Sequence, residues 1–499
     1  MNELTPDGRR EPDAEVRSVL WSQLIGPVKA LRARYLPLLL IYFAYGALGI
    51  IDVSRDWWVK EDLSLSPAEL ASAAVWFTLP WAVKVVFGEL ADSVPIFGSR
   101  RRSYVLIGAA LQAVGLVTLA GTAGRWIQIL PAEQLYILSM LAVVLGTVIQ
   151  DVVADAMSTE VVSREDDSGR PREESDVRAD LGMVQVLGRL SLSLGILAVA
   201  GLSGVLAGVF SRETVFLIGL AVPVMAVVGA FAIRYEPTEV RPVNRKILLG
   251  GLGFAAVVVA LGFGGVPYAQ EISFVLSMLI VIAMLLMITR EISPETRRAI
   301  IYTTIIIFAF RATPTAGDGY FWWTLDVLGF DETFYGVLRQ TSAIIGIVAL
   351  WFLAKQLTQY SAAKTLFWLT IAGFILSFPS IALYFGLHEW TSERFGFGAR
   401  TIALVDAVAA SPFAQLSMIP LLTLIAFYAP AAHRATWFAL MASLMNLALV
   451  AGQLSTKYLN LFFSVARGAY DDLGMLLIVA AVIAFVLPMT AILVFGRRV

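Results

Sequence analysis

Residues 57–65, Trp57-Trp58-Val59-Lys60-Glu61-Asp62-Leu63-Ser64-Leu65, are echoed by residues 322–330, Trp322-Trp323-Thr324-Leu325-Asp326-Val327-Leu328-Gly329-Phe330, at a constant offset of 265. In both places an apolar segment ends at a tryptophan pair, a short acidic loop follows, and a new apolar segment starts within ten residues. Self-similarity at this distance marks a duplicated architecture. It pairs the first apolar segment with the ninth and the second with the tenth.

The segments so paired are long enough to cross a bilayer. Of 499 residues, 58% are hydrophobic and 15% charged, and the mean hydropathy is +0.77. Soluble domains run at about 25% charged, so the solvent for most of this surface is lipid. A span needs about 20 apolar residues, and fourteen segments qualify: 36–54, 68–90, 103–122, 134–156, 180–209, 213–233, 247–267, 272–289, 299–325, 332–354, 363–386, 401–427, 434–463 and 472–496. The seventh and eighth carry no internal charge and read as peripheral, lipid-facing helices. The expected fold is therefore an all-α polytopic membrane protein of the major facilitator type, two six-helix halves plus two extra central helices. Such parallel repeats hold substrate between the halves. The expected divisions are a cytoplasmic segment 1–34, with 15–34 amphipathic or a loose tail, a first half 35–233, a linker 234–298 and a second half 299–499. The charged stretch 163–178 reads as a solvated loop.

Lys and Arg orient the chain. With both termini inside, inner segments hold 25 of 37 basic residues and outer loops hold seven, the bias of a multi-pass protein of the plasma or inner membrane. Net charge of −1 gives no field for nucleic acid. Zero cysteines exclude thiolate metal sites, and two histidines, His388 and His433, are too few and too far apart in sequence to suggest a histidine metal site. No cofactor is expected, and the polar, acidic residues 1–15 do not read as a signal peptide.

The charges left inside the spans are the candidate site, because each costs about 2.5–3.5 kcal/mol at mid-bilayer unless paired or wetted. Arg311 sits where Pro314, Gly317 and Gly319 interrupt the ninth span, either as an anion anchor or as half of an ion pair. Lys84 lies in the second span. Asp318, Asp52 and Asp406 are further ligand candidates, with inter-helix ion pairs as the alternative; Asp52 can pair with Arg55. Asp92 with Arg100, Arg101 and Arg102 suggests a cytoplasmic latch, and Asp151 and Asp155, spaced i, i+4, suggest its partners or a proton carrier. Trp57, Trp58 and Trp390 read as interface anchors.

Three stretches carry a family resemblance: Trp81 through Lys84, Gly88 and Asp92-Ser93-Val94-Pro95-Ile96-Phe97-Gly98 to Arg100-Arg101-Arg102-Ser103-Tyr104; Asp151-Val152-Val153-Ala154-Asp155-Ala156; and Ala312-Thr313-Pro314 running into Tyr320-Phe321. Asp406 with Gln415 and Met418-Ile419-Pro420 adds a fourth. On these the chain resembles the folate–biopterin transporter family of the major facilitator superfamily. The resemblance implies a secondary transporter, not an enzyme: a monomeric symporter taking up folate- or pterin-like planar anions with protons by alternating access. It also implies carboxylates for the ring and Arg311 or Lys84 for an anionic tail. The alternatives are a pigment-delivery relative of the bacteriochlorophyll type, and a prenyltransferase-like enzyme using Asp151-x-x-x-Asp155, which lacks a second aspartate-rich helix.

Overall fold

The computed structural model describes residues 31–498 apart from 83, 166–167, 234–244, 265, 291–292, 358–361, 418–419, 422–423 and 426–433. The described residues form helices and turns with isolated bridges such as Ile96 with Ser99, and no strand. Most of the expected amphipathic stretch 15–34 lies outside the described residues.

Helix α1 (Leu36–Ala47) passes through a 3-10 turn at Leu48–Ile51 into α2 (Asp52–Asp62). Helix α3 (Pro67–Ala82) carries Pro80 in its last turn, and α4 (Lys84–Ser93) follows. Next come α5 (Arg102–Ala123), α6 (Ala132–Glu160), α7 (Glu174–Val209), α8 (Arg212–Ile218) and α9 (Ala221–Phe231). The linker contains α10 (Arg245–Phe263) and α11 (Ala269–Ile288). The remainder comprises α12 (Pro294–Arg311), α13 (Asp318–Asp326), α14 (Glu332–Leu357), α15 (Ala362–Ile375) and α16 (Phe378–Tyr384). It ends with α17 (Leu387–Phe395), α18 (Ala399–Leu416), α19 (Arg434–Phe462) and α20 (Leu473–Phe495).

Helix occupies part of each of the fourteen expected segments, and nine helical segments among the described residues are long and apolar enough to cross a membrane. The ninth expected span is divided. Helix α12 stops at Arg311, Pro314 blocks its continuation, and Gly317 at φ +70° turns the chain into α13. The backbone freed there is satisfied from α19. The Thr315 N–H donates to Thr456 Oγ1 (3.0 Å), and Asn460 Nδ2 donates to the Ala316 carbonyl (3.1 Å). Irregular backbone at membrane depth requires such partners.

Helices before residue 234 pack mainly on one another (α5 on α6, α1 on α7), as do those after 294 (α14 on α18, α15 on α20). The two most extensive contacts between these groups are α3 against α19 and α7 against α14. In the first, Gln453 Nε2 donates to Thr78 Oγ1 (2.9 Å) and Ser443 Oγ to the Ala82 carbonyl (3.1 Å). In the second the backbones nearly touch: a Cβ on Gly204 would lie 2.5 Å from both the Glu332 carbonyl oxygen and the Gly336 Cα. Small residues permit this approach.

Two expectations need correction. Trp57 and Trp58 are buried packing residues and not interface anchors. Trp57 meets Phe321 (5.0 Å) and Tyr335 (5.3 Å) edge-on, and Trp58 meets Phe216 (5.7 Å). Trp390, on α17, is exposed. The solvated loop ends at Glu173, because Arg172 bonds Asp180 (2.9 Å) and the Ser163 carbonyl (3.0 Å) and fixes the entry of α7. Helices α10 and α11 expose Leu249, Leu279 and Met287, as lipid-facing helices do. Helix α11 is nevertheless tied to α19 by Lys457, which donates to Glu271 (2.7 Å) and Gln270 (2.9 Å).

Candidate functional site

The expected charges gather into three groups. The first joins α2 to α14. Arg55 pairs with Asp52 (2.9 Å) and with Asp56 (2.7 Å), and Arg339 reaches Asp52 from the other half of the chain. Asp318, the first residue of α13, lies within electrostatic reach of Asp56 and Arg55. Three carboxylates thus stand against two guanidiniums, so Asp52 is already committed to cations and Asp318 is not satisfied by them.

The second group lies within the first half. Lys84 bonds Asp151 (2.5 Å) and Asp155 (2.6 Å), and the Tyr42 hydroxyl donates to Asp155 (2.9 Å). The i, i+4 spacing puts both carboxylates on one face of α6, where a single ammonium bridges them. Lys84 is therefore occupied, which weakens the reading of it as an anchor for an anionic tail. The third group holds the residues expected to form a latch. Arg101, buried, pairs with Asp92 (2.8 Å) and Glu160 (2.5 Å) and donates to the Ala91 carbonyl (2.8 Å). Arg100 donates to the Asp92 carbonyl (3.3 Å), and Arg102 to the carbonyls of Ala230 (3.3 Å) and Ile233 (3.0 Å). Asp151 and Asp155 are not the partners of this arginine run; Glu160, farther along the same helix, is.

Arg311 ends α12 beside the helix break, and Asp406 stands apart on α18. Asp406 Oδ2 accepts from Ser380 Oγ (3.1 Å). Gln415, Met418 and Ile419 fall among side chains outside the described residues.

A family model described as the BT1 family matches residues 46–499. The chain belongs to the BT1 family. Relatives include a folate-biopterin transporter from Synechocystis sp., 26% identical over 89% of this chain and 78% of that protein. Another is folate transporter 1 from Plasmodium falciparum, 20% identical over 88% of this chain and 75% of that protein. Among solved structures, a POT family transporter in complex with 5-aminolevulinic acid has a TM-score of 0.63 at 13% identity, covering 93% of this chain and 96% of that one. A peptide transporter POT in complex with sulfate has a TM-score of 0.60 at 18% identity, covering 94% and 95%. The likeness to these solved structures carries the fold alone, an all-α polytopic one. As a BT1 family member the chain is a transporter and not an enzyme.

In this BT1 family chain the helices before residue 234 and those after 294 are also tied together at their loop-side ends, by residues the sequence reading passed over. Lys60 pairs with Asp326, to which the Tyr470 hydroxyl also donates. Arg467 donates through one nitrogen to the carbonyls of Val59 (2.8 Å), Leu63 and Leu65 (3.3 Å), and its guanidinium lies 4.9 Å over the Trp322 ring. Nearby, the Phe334 backbone N–H (2.8 Å) and then the Arg400 guanidinium (2.5 Å) hold the Asp331 carboxyl below the usual carboxylate range. The repeat carried the signal for one of these ties, since Lys60 and Asp326 sit one residue off the 265 offset and therefore near the same end of the paired segments. Arg467 binds backbone, which no side-chain pattern announces.

Proposed function

We propose that this chain is a proton-coupled secondary transporter of folate- or pterin-like planar anions. It works by alternating access between two six-helix halves, with both termini cytoplasmic. The relatives' names support the substrate class. The observation that carries the mechanism is the set of cross-half ties at the loop side. Lys60–Asp326, Asp52–Arg339 and Arg467 on three carbonyls hold one entrance shut, and each joins groups that part when that entrance opens. The cluster of Asp52, Arg55, Asp56, Arg339 and Asp318 leaves one negative charge in excess and is the proposed proton carrier. Arg311, at the helix break, is the proposed anchor of the anionic tail. The arginine run with Asp92 and Glu160 is the latch of the opposite side, and Lys84 with Asp151 and Asp155 couples it to α6.

The test is uptake by the purified chain in liposomes, using folic acid, 5-formyltetrahydrofolate, biopterin and a nucleoside control, with and without a pH gradient. The expected result is accumulation of at least one pterin compound above equilibrium when the gradient is present. Accumulation of none of them removes the substrate class, and accumulation indifferent to the gradient removes proton coupling.

A further inference from the structure

The inserted helices α10 and α11 lie against the seam where α3 meets α19, and that seam is polar. Gln453 Nε2 donates to Thr78 Oγ1 (2.9 Å), Asn446 Nδ2 to the Trp81 carbonyl (3.4 Å) and Ser443 Oγ to the Ala82 carbonyl (3.1 Å). The three bonds step along the two helices in opposite senses, as the rungs of a ladder. Groups of this kind are not tolerated facing hydrocarbon without partners. The hairpin packs over the same seam. Val75 and Leu79 of α3 and Val450 and Leu454 of α19 form one buried cluster, and Trp76, Val258 of α10 and Phe274 of α11 pack against it. On its other faces the hairpin is apolar, exposing Leu252 and Val259 on α10 and Ile272 and Leu279 on α11.

The two helices of the hairpin are fastened to different sides. Helix α10 rests on α4, where a Cβ added to Gly251 would overlap the Val86 side chain, so glycine is what permits the approach. Near its other end, a Cβ on Gly262 would lie 3.4 Å from the Trp76 ring. Helix α11 touches α3 lightly and rests mainly on α19. There Lys457 donates to Glu271 (2.7 Å) and Gln270 (2.9 Å), and the Tyr458 hydroxyl donates to Glu271 (2.7 Å). Farther along, Val281 and Leu285 join a buried cluster with Ile300, Ile306 and Leu444. Between the two helices the chain turns at Tyr268, φ +59°.

We infer that the α10–α11 hairpin is a lateral seal that keeps hydrocarbon away from the polar α3–α19 seam. Helix α10 travels with α3 and α4, α11 travels with α19, and the turn at Tyr268 takes up the change of angle. The travel rests on the alternating-access reading above; the seal does not. When the seam loosens, the amides of Gln453 and Asn446 lose their partners, and water can replace those partners where lipid cannot. A hairpin divided between the two sides goes on covering a seam that widens, as a wall fixed to one side would not.

The chain contains no cysteine, so Val450→Cys supplies the sole thiol, at a position 0% exposed within the covered cluster. The full chain is reconstituted in phosphatidylcholine vesicles, and a membrane-dissolved maleimide reads the access of lipid to that thiol. Slow labelling is expected in Val450→Cys alone. Adding Gly251→Leu, which forces α10 off α4, is expected to raise the rate at least tenfold. Adding Glu271→Ala, which frees only the Tyr268 end of α11, is expected to raise it about threefold. Helical content and monodispersity establish that each variant folds, and a rise in either one supports the seal. Fast labelling of Val450→Cys alone, or a rate within twofold of it in both added variants, overturns the seal. Travel is read with Gly251→Cys and Val86→Cys, whose Cβ atoms would lie 3.1 Å apart, close to the roughly 3.5–4.5 Å of a disulfide. Oxidising this pair should leave uptake within twofold of the reduced chain, and arrest on oxidation overturns the assignment of α10 to that side. A shielded Val450→Cys thiol in a chain that accumulates none of the pterin compounds overturns the transport reading, and the travel with it, and leaves the seal standing.

Discussion

Removing the Arg467 guanidinium is expected to open the loop side of the protein. In Arg467→Ala the lost interactions are countable. The three carbonyls of Val59, Leu63 and Leu65 share one terminal nitrogen, and that nitrogen carries two hydrogens, so two hydrogen bonds are at stake rather than three. A bond from a charged donor is worth about 1.5–3 kcal/mol when buried. Arg467 is exposed at its rim, so solvent screening reduces each bond to about 0.5–1 kcal/mol. Stacking over the Trp322 ring adds about 0.5 kcal/mol at such a site. The sum is about 2 kcal/mol, present only while the two halves meet on this side. A loss of that size shifts the ratio of open to closed by about thirtyfold. The chain contains no cysteine, so a thiol introduced by Leu63→Cys is the sole reactive thiol in the molecule. Leu63 is 1% exposed beneath the clamp. The rate of maleimide labelling at that position should rise at least tenfold when Arg467→Ala is added. A labelling rate that does not change, in a chain whose Leu63→Cys thiol is slow to react in the parent, refutes the reasoning that Arg467 holds the entrance shut.

Other outcomes follow from the same geometry. Replacing Lys60 and Asp326 together by cysteine and oxidising should arrest uptake, and reductant should restore it; uptake that continues in the cross-linked chain shows that these ends need not separate. Asp318→Asn should abolish gradient-driven accumulation while leaving exchange of substrate between preloaded vesicles within about twofold of the parent, and equal loss of both activities assigns Asp318 to binding instead. Glu160→Gln leaves the buried Arg101 with Asp92 as its carboxylate partner; breaking one side of a buried pair costs about 3 kcal/mol, read as a fall of several degrees in Tm, with no fall expected for the exposed Glu165→Gln. The Asp331 carboxyl, held below its ordinary value of about 3.9 by Phe334 and Arg400, is ionised throughout pH 5–8, and its contacts are lost only as pH drops through the lowered native value. The uptake profile of Asp331→Asn over pH 5–8 should therefore keep the shape of the parent's, and a displaced profile counts against this assignment.

Much of the fold was legible because lipid imposes it. Long apolar runs must be helices, and Pro314 with Gly317 announced the break after Arg311 by removing a backbone donor and supplying a left-handed turn. The i, i+4 spacing of Asp151 and Asp155 likewise announced a shared face, but not its occupant. Lys84 reaches that face across helices, and the distance in sequence, 67 residues, contains nothing that specifies the pairing. Glu160 was overlooked as the partner of Arg101 because it stands at the helix end, where a charge is unremarkable. Trp57 and Trp58 misled for a physical reason: at a span end an indole suits either the membrane interface or a packed helix crossing, and only the positions of Phe321, Tyr335 and Phe216 decide between them. Ser380, short and uncharged, gave no sign that it orients Asp406.

The near-contact of Gly204 with Gly336 bears on how such a protein can move at all. Most helix crossings interlock, with side chains of one seated between those of the other, and rotation there requires each to be withdrawn. Two facing glycines leave a smooth spot where backbone rests on backbone. At that spot one helix can roll on the other without disengaging, so under the proposed alternating access the crossing would serve as a fulcrum while the ends on either side swing. A methyl group added at either position acts as a cog on a bearing surface, and its first effect would be on the rate of turnover rather than on the affinity for what is carried.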